Sequence, residues 1–181
     1  MAFDVNEIRS QLVGGGARNS LFQVTFVNPA TAAADLKVPF MCRAAQIPTS
    51  QLGLIEVPYY GRKIKLAGDR TFEPWQVTII NDEDFLVRQA MEEWSHKINT
   101  MRGNMRDFSA ASPLLYKATA EVTQFSKTGV PLRYYKFQGI YPEAVSSIDL
   151  DWNSTDSIEE FQVTFQYDWW EVGGPTGAVS G

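Results

Sequence analysis

The sequence is poor in the residues that most catalytic and metal sites require. It has one cysteine, Cys42, and one histidine, His96, in 181 residues. A single cysteine allows no internal disulfide and indicates a reducing compartment, and a lone histidine leaves a catalytic triad or a histidine-rich metal site without partners. We expect His96 to be a solvated helix residue. Cys42, which alternates with Val38 and Phe40, is expected to be a small buried hydrophobic side chain.

Positive charge and long apolar runs are also scarce. The formal net charge is −5, with 16 Lys and Arg against 21 Asp and Glu. A protein that grips nucleic acid normally carries a basic patch, so specific DNA or RNA binding is not expected. No apolar run is long enough to cross a bilayer, and the segment MAFDVNEIRSQ has none of the features of a signal peptide. We therefore expect a cytoplasmic product with no membrane partner and no cofactor.

What the chain does contain favours β structure. Hydrophobic residues make up 44% and charged residues 20% of the sequence, as in an ordinary globular domain, and we treat residues 1–181 as a single domain. Apolar and polar residues alternate with the period of a half-buried strand. This pattern predicts strands at 21–27, 38–42, 72–80, 116–125, 132–140, 148–152 and 158–170. Turn-forming residues at 126–129 and 153–156 predict two hairpins.

One helix is predicted, over residues 82–101. Asn81 and Asp82 can cap its start, and Gly103 is suited to a left-handed stop. Its apolar stripe comprises Val87, Ala90, Met91, Trp94, Ile98 and Met101. Its other face is charged and is expected to be solvated. The strand before the helix follows a predicted turn at Gly68-Asp69.

Three further segments stand apart from this pattern. Residues 1–18 form an N-terminal arm, with a short helix at Asp4–Leu12 on a Gly14–Gly16 joint. Docking on a neighbouring subunit and a frayed terminus both fit this arm. Residues 43–66 are punctuated by proline and glycine, yet they are rich in apolar side chains. We predict a protruding loop here that buries itself either in its own core or against a partner. Residues 173–181 form a C-terminal tail.

Two blocks of sequence resemble a known family. The first comprises Arg62-Lys63, Ala67-Gly68-Asp69-Arg70-Thr71-Phe72, Trp75, Val77 and Asn81-Asp82-Glu83. The second comprises Leu150-Asp151-Trp152, Phe161, Val163, Thr164 and Trp170-Glu171. In this order the blocks resemble the tail tube proteins of contractile-tailed bacteriophages of the T-even type. The resemblance runs from about Asn19 to Glu171, which is most of the chain.

The resemblance implies a fold and a role. The expected fold is mainly β, a β-sandwich or partly closed barrel of seven or eight strands with one flanking α-helix. The expected protein is structural and has no enzymatic activity. Hexameric rings would join their sheets around a channel and stack into a tube that conducts DNA into the host without binding it specifically. The implied partners are further copies of the chain, the tail sheath protein, the baseplate and the tail terminator, in a virion tail assembled in the host cytoplasm.

Two sets of candidate site residues follow. The inter-subunit set is Ile47, Leu52, Leu54, Ile55, Val57, Tyr59, Tyr60, Asp69 and Arg70. Asp69-Arg70 also fits a simpler role in orienting the turn before the strand. A channel that conducts DNA should be lined by short polar or acidic groups, because each Lys or Arg on a phosphate adds affinity. The channel-lining set is Gln23, Thr25, Gln76, Thr78, Glu160, Gln162, Thr164, Gln166 and Asp168.

Alternatives remain open at this point. A baseplate tube initiator or a secretion-system tube protein would share the same patterns. A monomeric β-sandwich binding module, or a metal-dependent enzyme built around Asp149, Asp151 and Glu160, belongs to a different class. The spacing of these carboxylates fits a calcium loop. However, Ser154 stands where the turn glycine belongs and the predicted flanks are strands, so a polar turn is the simpler interpretation.

Overall fold

The structure, a computed structural model, describes residues 5–106 and 111–175. The described strands are β1 (Phe22–Phe26), β2 (Cys42–Ala45), β3 (Gln51–Tyr59), β4 (Arg62–Thr71), β5 (Trp75–Ile80), β6 (Ala118–Phe125), β7 (Pro131–Val145), β8 (Glu160–Gln166) and β9 (Trp169–Gly173). The helices are α1 (Val5–Gln11), α2 (Val38–Met41), α3 (Leu86–Ile98) and α4 (Pro113–Tyr116). Residues 1–4, 107–110 and 176–181, which include the ends of the predicted arm and tail, lie outside the described residues.

The long strand β7 belongs to two sheets that pack as a sandwich. Sheet A has the order β1-β6-β7-β9, and sheet B has the order β7-β8-β5-β2, all antiparallel. Strand β7 bends at Gly139, where φ is 68°. A Cβ at Gly139 would lie 2.1 Å from the carboxylate of Asp168, so both the backbone and the space require glycine. The mainly β sandwich with a flanking helix is confirmed, and its sheets do not close into a barrel.

The core lies between the inner faces of the two sheets. Phe165 is its centre, with ring centroids 5.9 Å from Phe26, 5.7 Å from Trp75 and 6.3 Å from Trp94. Trp75 also stacks on Phe137 at 4.3 Å. The predicted alternation in β5 is confirmed, because Trp75, Val77 and Ile79 are all buried. Each large apolar side chain buried in this way contributes about 1.5–3 kcal/mol before ordering costs.

Helix α3 covers one side of this core. Val87, Ala90, Met91 and Trp94 are buried, as predicted from the stripe. The Trp94 indole N–H donates to the backbone carbonyl of Tyr116 at 2.7 Å, which ties α3 to α4. The buried Asn28 side-chain amide donates to the carbonyl of Ala90 at 3.0 Å, so the loop after β1 is also fixed to the helix.

The predicted ends of the helix are wrong. The N-cap position is Phe85, which has a left-handed φ of 52°, and the Leu86 amide donates to the Asp84 carboxylate at 3.0 Å. The helix ends at Ile98, and the next residue is extended. Met101 is therefore 78% exposed, and Gly103 lies beyond the helix rather than at its stop. The core covers only the helical turns from Val87 to Trp94, whereas the apolar stripe read from the sequence continues to Met101.

The strand predicted at 38–42 is also wrong. Val38–Met41 is a short helix with a proline in its first turn, a position that proline tolerates well. Val38 is buried, whereas Phe40 is 77% exposed. Cys42 begins β2 and is half-buried. Burial raises the pKa of its thiol to about 12, so this thiol has little nucleophilic thiolate near neutral pH.

The second predicted hairpin, at 148–152 and 158–170, is wrong in its first half. Residues 146–159 form a loop with no strand, and β8 begins at Glu160. The Asp151 carboxylate accepts from the Asn153 amide at 3.0 Å, and the Asp151 carbonyl accepts from the Ser154 amide at 3.1 Å. These local hydrogen bonds replace a strand ladder. The turn at 126–129 is confirmed, because β6 and β7 pair on either side of it.

The predicted last strand is interrupted between Gln166 and Trp169 but keeps its register. Tyr141 pairs with Gln166 and Gln138 with Trp169, so β8 and β9 continue each other along β7. Asp168, at the interruption, forms an ion pair with Lys117 at 2.6 Å.

Residues 43–66 do not form the predicted loop. Strands β3 and β4 make a two-stranded hairpin that turns at Tyr60-Gly61, both with positive φ. Gly68-Asp69 lies inside β4 and is not a turn. Five residues separate Ala45 from Gln51 and five separate Thr71 from Val77, so the base of the hairpin keeps the register of the β2–β5 ladder. The register then shifts between Leu52 and Leu54.

Candidate functional site and assembly surfaces

The β3–β4 hairpin has one apolar face that nothing in the described chain covers. Cross-strand partners share a face, and the register pairs Ile55 with Leu66 and Val57 with Ile64. With Tyr59 these residues form what we call the apolar face. Their exposed fractions run from 41% for Val57 to 62% for Tyr59. A two-stranded hairpin is marginal by itself, so this face is suited to packing on another protein surface.

The opposite face of the hairpin is charged. It carries Glu56, Lys63 and Lys65, and the Lys63 ammonium lies 2.5 Å from the Glu56 carboxylate. This exposed pair contributes little to stability. The two faces of the hairpin therefore differ, and only the apolar face offers a continuous surface for packing on another protein.

The base of the hairpin is fixed to the sandwich. The indole N–H of Trp75 donates to the carbonyl of Gln46 at 2.7 Å, and that of Trp170 donates to the carbonyl of Thr49 at 3.2 Å. The guanidinium of Arg70 donates to the hydroxyl of Ser50 at 2.7 Å. The turn-orienting interpretation of Asp69-Arg70 is wrong, because both residues lie within β4 and are exposed.

All the predicted inter-subunit residues lie in the hairpin or at its base, and all are exposed. The most exposed is Tyr60, at 92%, at the turn. Besides the apolar face, Leu52 and Leu54 are 56% and 58% exposed, and Ile47 at the base is 49% exposed. The structure thus brings this set together on one projection, although the projection is a hairpin and not a loop. Sequence reasoning missed Ile64 and Leu66, which the same alternation could have identified.

The side chains on the outer face of sheet B are short and polar. Gln76 faces Thr164 and Thr78 faces Gln162 across β5 and β8. The Gln162 side-chain amide donates to the Gln76 side-chain oxygen at 3.0 Å. Towards its edges this face carries Glu143, which accepts from Gln166 at 2.7 Å, and Glu160, which forms an ion pair with Arg43. No lysine lies in β2, β5 or β8, which form most of the sheet.

The predicted channel-lining residues do not all share this face. Gln23 and Thr25 lie on β1, on the outer face of sheet A, where Thr25 pairs with Glu121 and Glu121 with Lys136. Asp168 lies at the junction of the two sheets. The structure therefore splits the set. The outer face of sheet B holds Gln76, Thr78, Glu160, Gln162, Thr164 and Gln166. The two polar faces look alike in the sequence, and only the strand pairings show that they belong to different sheets.

An apolar and acidic loop lies at the other end of sheet B. Strand β5 begins next to the hairpin and ends at Ile80, which pairs with Glu160 at the start of β8. The loop 146–159 leads into that start, and the amide of Asn81 donates to the carbonyl of Glu159 at 2.8 Å. We call it the end loop. Trp152 is 100% exposed and Leu150 is 80% exposed.

Two of the three proposed metal-site carboxylates make local contacts. Glu160 pairs with Arg43, and Asp151 accepts from Asn153. Over residues 5–106 and 111–175, no group of three or more His, Cys, Asp and Glu side chains is arranged to hold a metal ion. His96 is exposed on the flank of α3. Within the same residues, no helix combines the length and the apolar character needed to cross a membrane.

Solved structures with this fold come from contractile injection machines. The structure of the anti-feeding prophage cap matches with a TM-score of 0.63 and 17% identity, over 88% of this chain and 91% of that one. A chain of the extended sheath-tube complex of an extracellular contractile injection system matches with a TM-score of 0.57 and 14% identity, over 96% of this chain and 99% of that one. The fold is therefore that of tube and tube-cap proteins.

The sequence comparisons are more specific. A family model described as "Phage tail tube protein" matches residues 17–173. The tail tube protein of Enterobacteria phage T4 is 34% identical over 159 residues, covering 87% of this chain and 93% of that protein. The chain belongs to the phage tail tube protein family. It is a structural component of the virion tail, and membership of this family implies a role without catalysis. The solved structures with this fold are described as a tube-terminating cap and a sheath-tube complex.

Proposed function

We propose that this chain forms hexameric rings that stack into the inner tube of a contractile phage tail. The observation that carries the proposal is the β3–β4 hairpin, whose apolar face is exposed while the inner face of β5 in the same ladder is buried. Each of its large side chains would contribute about 1.5–3 kcal/mol if covered, before ordering costs. A neighbouring subunit is the surface that covers it, and the inter-subunit set predicted from the sequence lies there.

Ring closure would use the edges of sheet B. Its strand order leaves β2 at one edge and the second half of β7 at the other. Unpaired strand edges are templates for pairing with another chain. A head-to-tail contact of this kind closes into a ring when its rotation permits. Six copies joined in this way would form a continuous barrel.

The outer face of sheet B would line the channel. Its side chains are mainly polar or acidic, and Arg43 at its edge is paired with Glu160, which keeps affinity for DNA phosphates low and lets DNA pass without specific binding. Gln23 and Thr25 would then lie on the outer wall, towards the sheath. Sheath, terminator and baseplate proteins would contact the tube, which would assemble in the host cytoplasm.

Light scattering and negative-stain microscopy of the purified chain test this proposal. We expect rings with six-fold symmetry that stack into tubes as concentration rises. A chain that stays monomeric across concentration and salt would refute it. Rings that stop after a few layers would indicate a baseplate tube initiator instead.

A further inference from the structure

Two pairs of exposed apolar side chains lie beside the two edges of sheet B. The first pair is Leu36, just before α2, and Phe40, within it, which are 85% and 77% exposed. We call this pair the α2 patch. The second pair lies in the end loop, where Leu150 and Trp152 are 80% and 100% exposed. Grouped exposed apolar side chains mark interaction surfaces, and tryptophan is enriched at interface hot spots.

Both pairs lie at the same end of the sheet. The ammonium of Lys37, inside the segment of the α2 patch, lies 2.8 Å from the carboxylate of Asp82. In the end loop, the carbonyl of Glu159 accepts from the amide of Asn81 at 2.8 Å. Asn81 and Asp82 directly follow Ile80, the last residue of β5. The end of β5 therefore fixes the position of both segments.

The two pairs belong to opposite edges of sheet B. The α2 patch leads directly into the edge strand β2, whose Cys42 pairs with Ile79 at this end. The end loop leaves the other edge strand, β7, after Val145, and the amide of Ser146 donates to the carbonyl of Gln162 at 2.8 Å. Trp152 is fully exposed, so nothing in the described part of its own copy covers it.

Ring closure through these two edges would bring the pairs together. Rotation about a ring axis keeps the Ile80 end of every copy on the same side of the ring. The strands β2 and β7 run in opposite directions, because the three pairings between them are all antiparallel. Joined edges lie about 4.8 Å apart, which places the α2 patch of one copy beside the end loop of the next.

The charges of the two segments are complementary. Residues 36–45 contain two basic side chains, Lys37 and Arg43, and no acidic one. Residues 146–159 contain four acidic side chains and no basic one. Lys37 is held by Asp82, whereas the Arg43 side chain stays largely exposed although it pairs with Glu160. Complementary charge across an interface favours the correct register over others.

We infer that Leu36 and Phe40 of one copy pack against Leu150 and Trp152 of the next copy in the same ring. This inference rests on the proposed ring, and it assigns the end loop to the seam between neighbouring copies. Two different surfaces meet in this contact, so it repeats around a closed ring. Pairing of strand edges supplies affinity, and side chains such as these supply specificity.

A double-mutant cycle tests whether the two pairs touch. Phe40→Ser and Trp152→Ser remove side chains that are exposed in the isolated subunit, so circular dichroism should show unchanged folding. Each should raise at least tenfold the concentration at which half of the chain is in rings, measured by analytical ultracentrifugation. The double variant should lose less than the product of the two single effects, because side chains in contact are not independent.

Val130→Ser is the matched control for these variants. Val130 is an exposed apolar residue at the turn between β6 and β7, outside both segments. Its removal should leave ring formation unchanged. An equal loss in this control would overturn the inference, and so would a double variant whose effect equals the product of the single effects.

Cross-linking separates a contact within one ring from a contact between stacked rings. Cys42→Ala removes the single native cysteine. In that background, Leu36→Cys with Leu150→Cys places one thiol in each segment and keeps Phe40 and Trp152. A short bismaleimide should give a ladder of covalent oligomers that ends at the number of copies in one ring. A ladder that continues beyond this number, or linkage confined to single chains, would contradict the inference.

The two proposals fail in different ways. A native chain that forms no rings refutes the proposed function, and the inference falls with it. If native rings form, they retain the proposed function, and the seam contact is wrong when the two cysteines give no product between chains. Should a serine variant fail to fold, the cross-linking result decides by itself.

Discussion

The two halves of one β ladder differ in the burial of their apolar side chains. In β5, Val77 and Ile79 are fully buried beneath the partner sheet and α3. In the hairpin that extends the same ladder, Val57 and Ile64 remain 41% and 51% exposed. The residue types are alike, and the register is kept from the Ala45–Val77 pair to the Gln51–Thr71 pair, before it shifts between Leu52 and Leu54. Apolar side chains therefore stabilise the subunit where sheet A covers them, and remain available for another copy where it does not.

The largest expected effect comes from a substitution in the buried core. Phe165→Ala removes the ring that contacts Phe26, Trp75 and Trp94. We expect the free energy of unfolding to fall by about 3–5 kcal/mol, since a large cavity opens in the core. Urea denaturation followed by tryptophan fluorescence measures this. A loss below about 1 kcal/mol would mean that the core repacks and that burial does not distinguish the two regions.

Substitutions in the exposed hairpin should affect assembly rather than the stability of the subunit. Leu54→Ser with Ile55→Ser should abolish tube formation while changing the subunit's free energy of unfolding by no more than about 0.5 kcal/mol, as for surface positions. Sedimentation measures assembly and circular dichroism measures folding. If the double variant unfolds, the hairpin belongs to the subunit's own core. Thr71→Ser, at the hairpin base, is a mild control that should assemble normally.

A third change addresses the polar face of sheet B. Gln162→Lys with Gln166→Lys should permit assembly but slow DNA ejection, because lysines in the channel would bind phosphates. Salt should relieve the delay through screening. Gln23→Lys with Thr25→Lys, on the outer face of sheet A, is the matched control and should eject DNA at the native rate. Delay in the control rather than in the test variant would place sheet A at the channel.

The smallest expected effect concerns the join between α2 and α3. Lys37 bonds the carboxylates of Asp82 and Asp84 and holds the pKa of each below its ordinary value. Such groups stabilise the folded state above their unfolded pKa of about 3.9, and this contribution is lost as pH falls through the lower folded values. Native chain and Lys37→Met should therefore differ in unfolding midpoint at neutral pH and converge in acid. A difference that is independent of pH would contradict this assignment.

Several elements could be predicted from the sequence because their causes are local or periodic. The alternation in β1, β5 and β8 follows from a buried inner face, and the α3 stripe Val87–Trp94 follows from a core contact repeated every turn. The hairpin turn at 126–129 was recognisable from its residues. The two sequence blocks that carry the family resemblance were also sufficient to predict a tail tube protein.

The elements that were predicted wrongly are set by local or tertiary interactions that override the apolar pattern. Pro39 favours a helix start where Val38, Phe40 and Cys42 suggested a strand. The hydrogen bonds of Asp151 break the pattern at 148–152. The end of α3 is set by where the core stops, which leaves Met101 outside.

By itself, the sequence determined which residues alternate and which segments are too apolar to be ordinary surface. Only the tertiary structure decided that residues 51–71 extend the β2–β5 ladder past the sandwich, that Gln23 and Gln76 lie on different outer faces, and that the hairpin and Trp152 leave opposite ends of sheet B. The reason is that alternation records only that one face of a strand is apolar. Whether that face meets its own core or a second copy depends on strand pairings between residues far apart in the chain, such as Trp75 with Phe165.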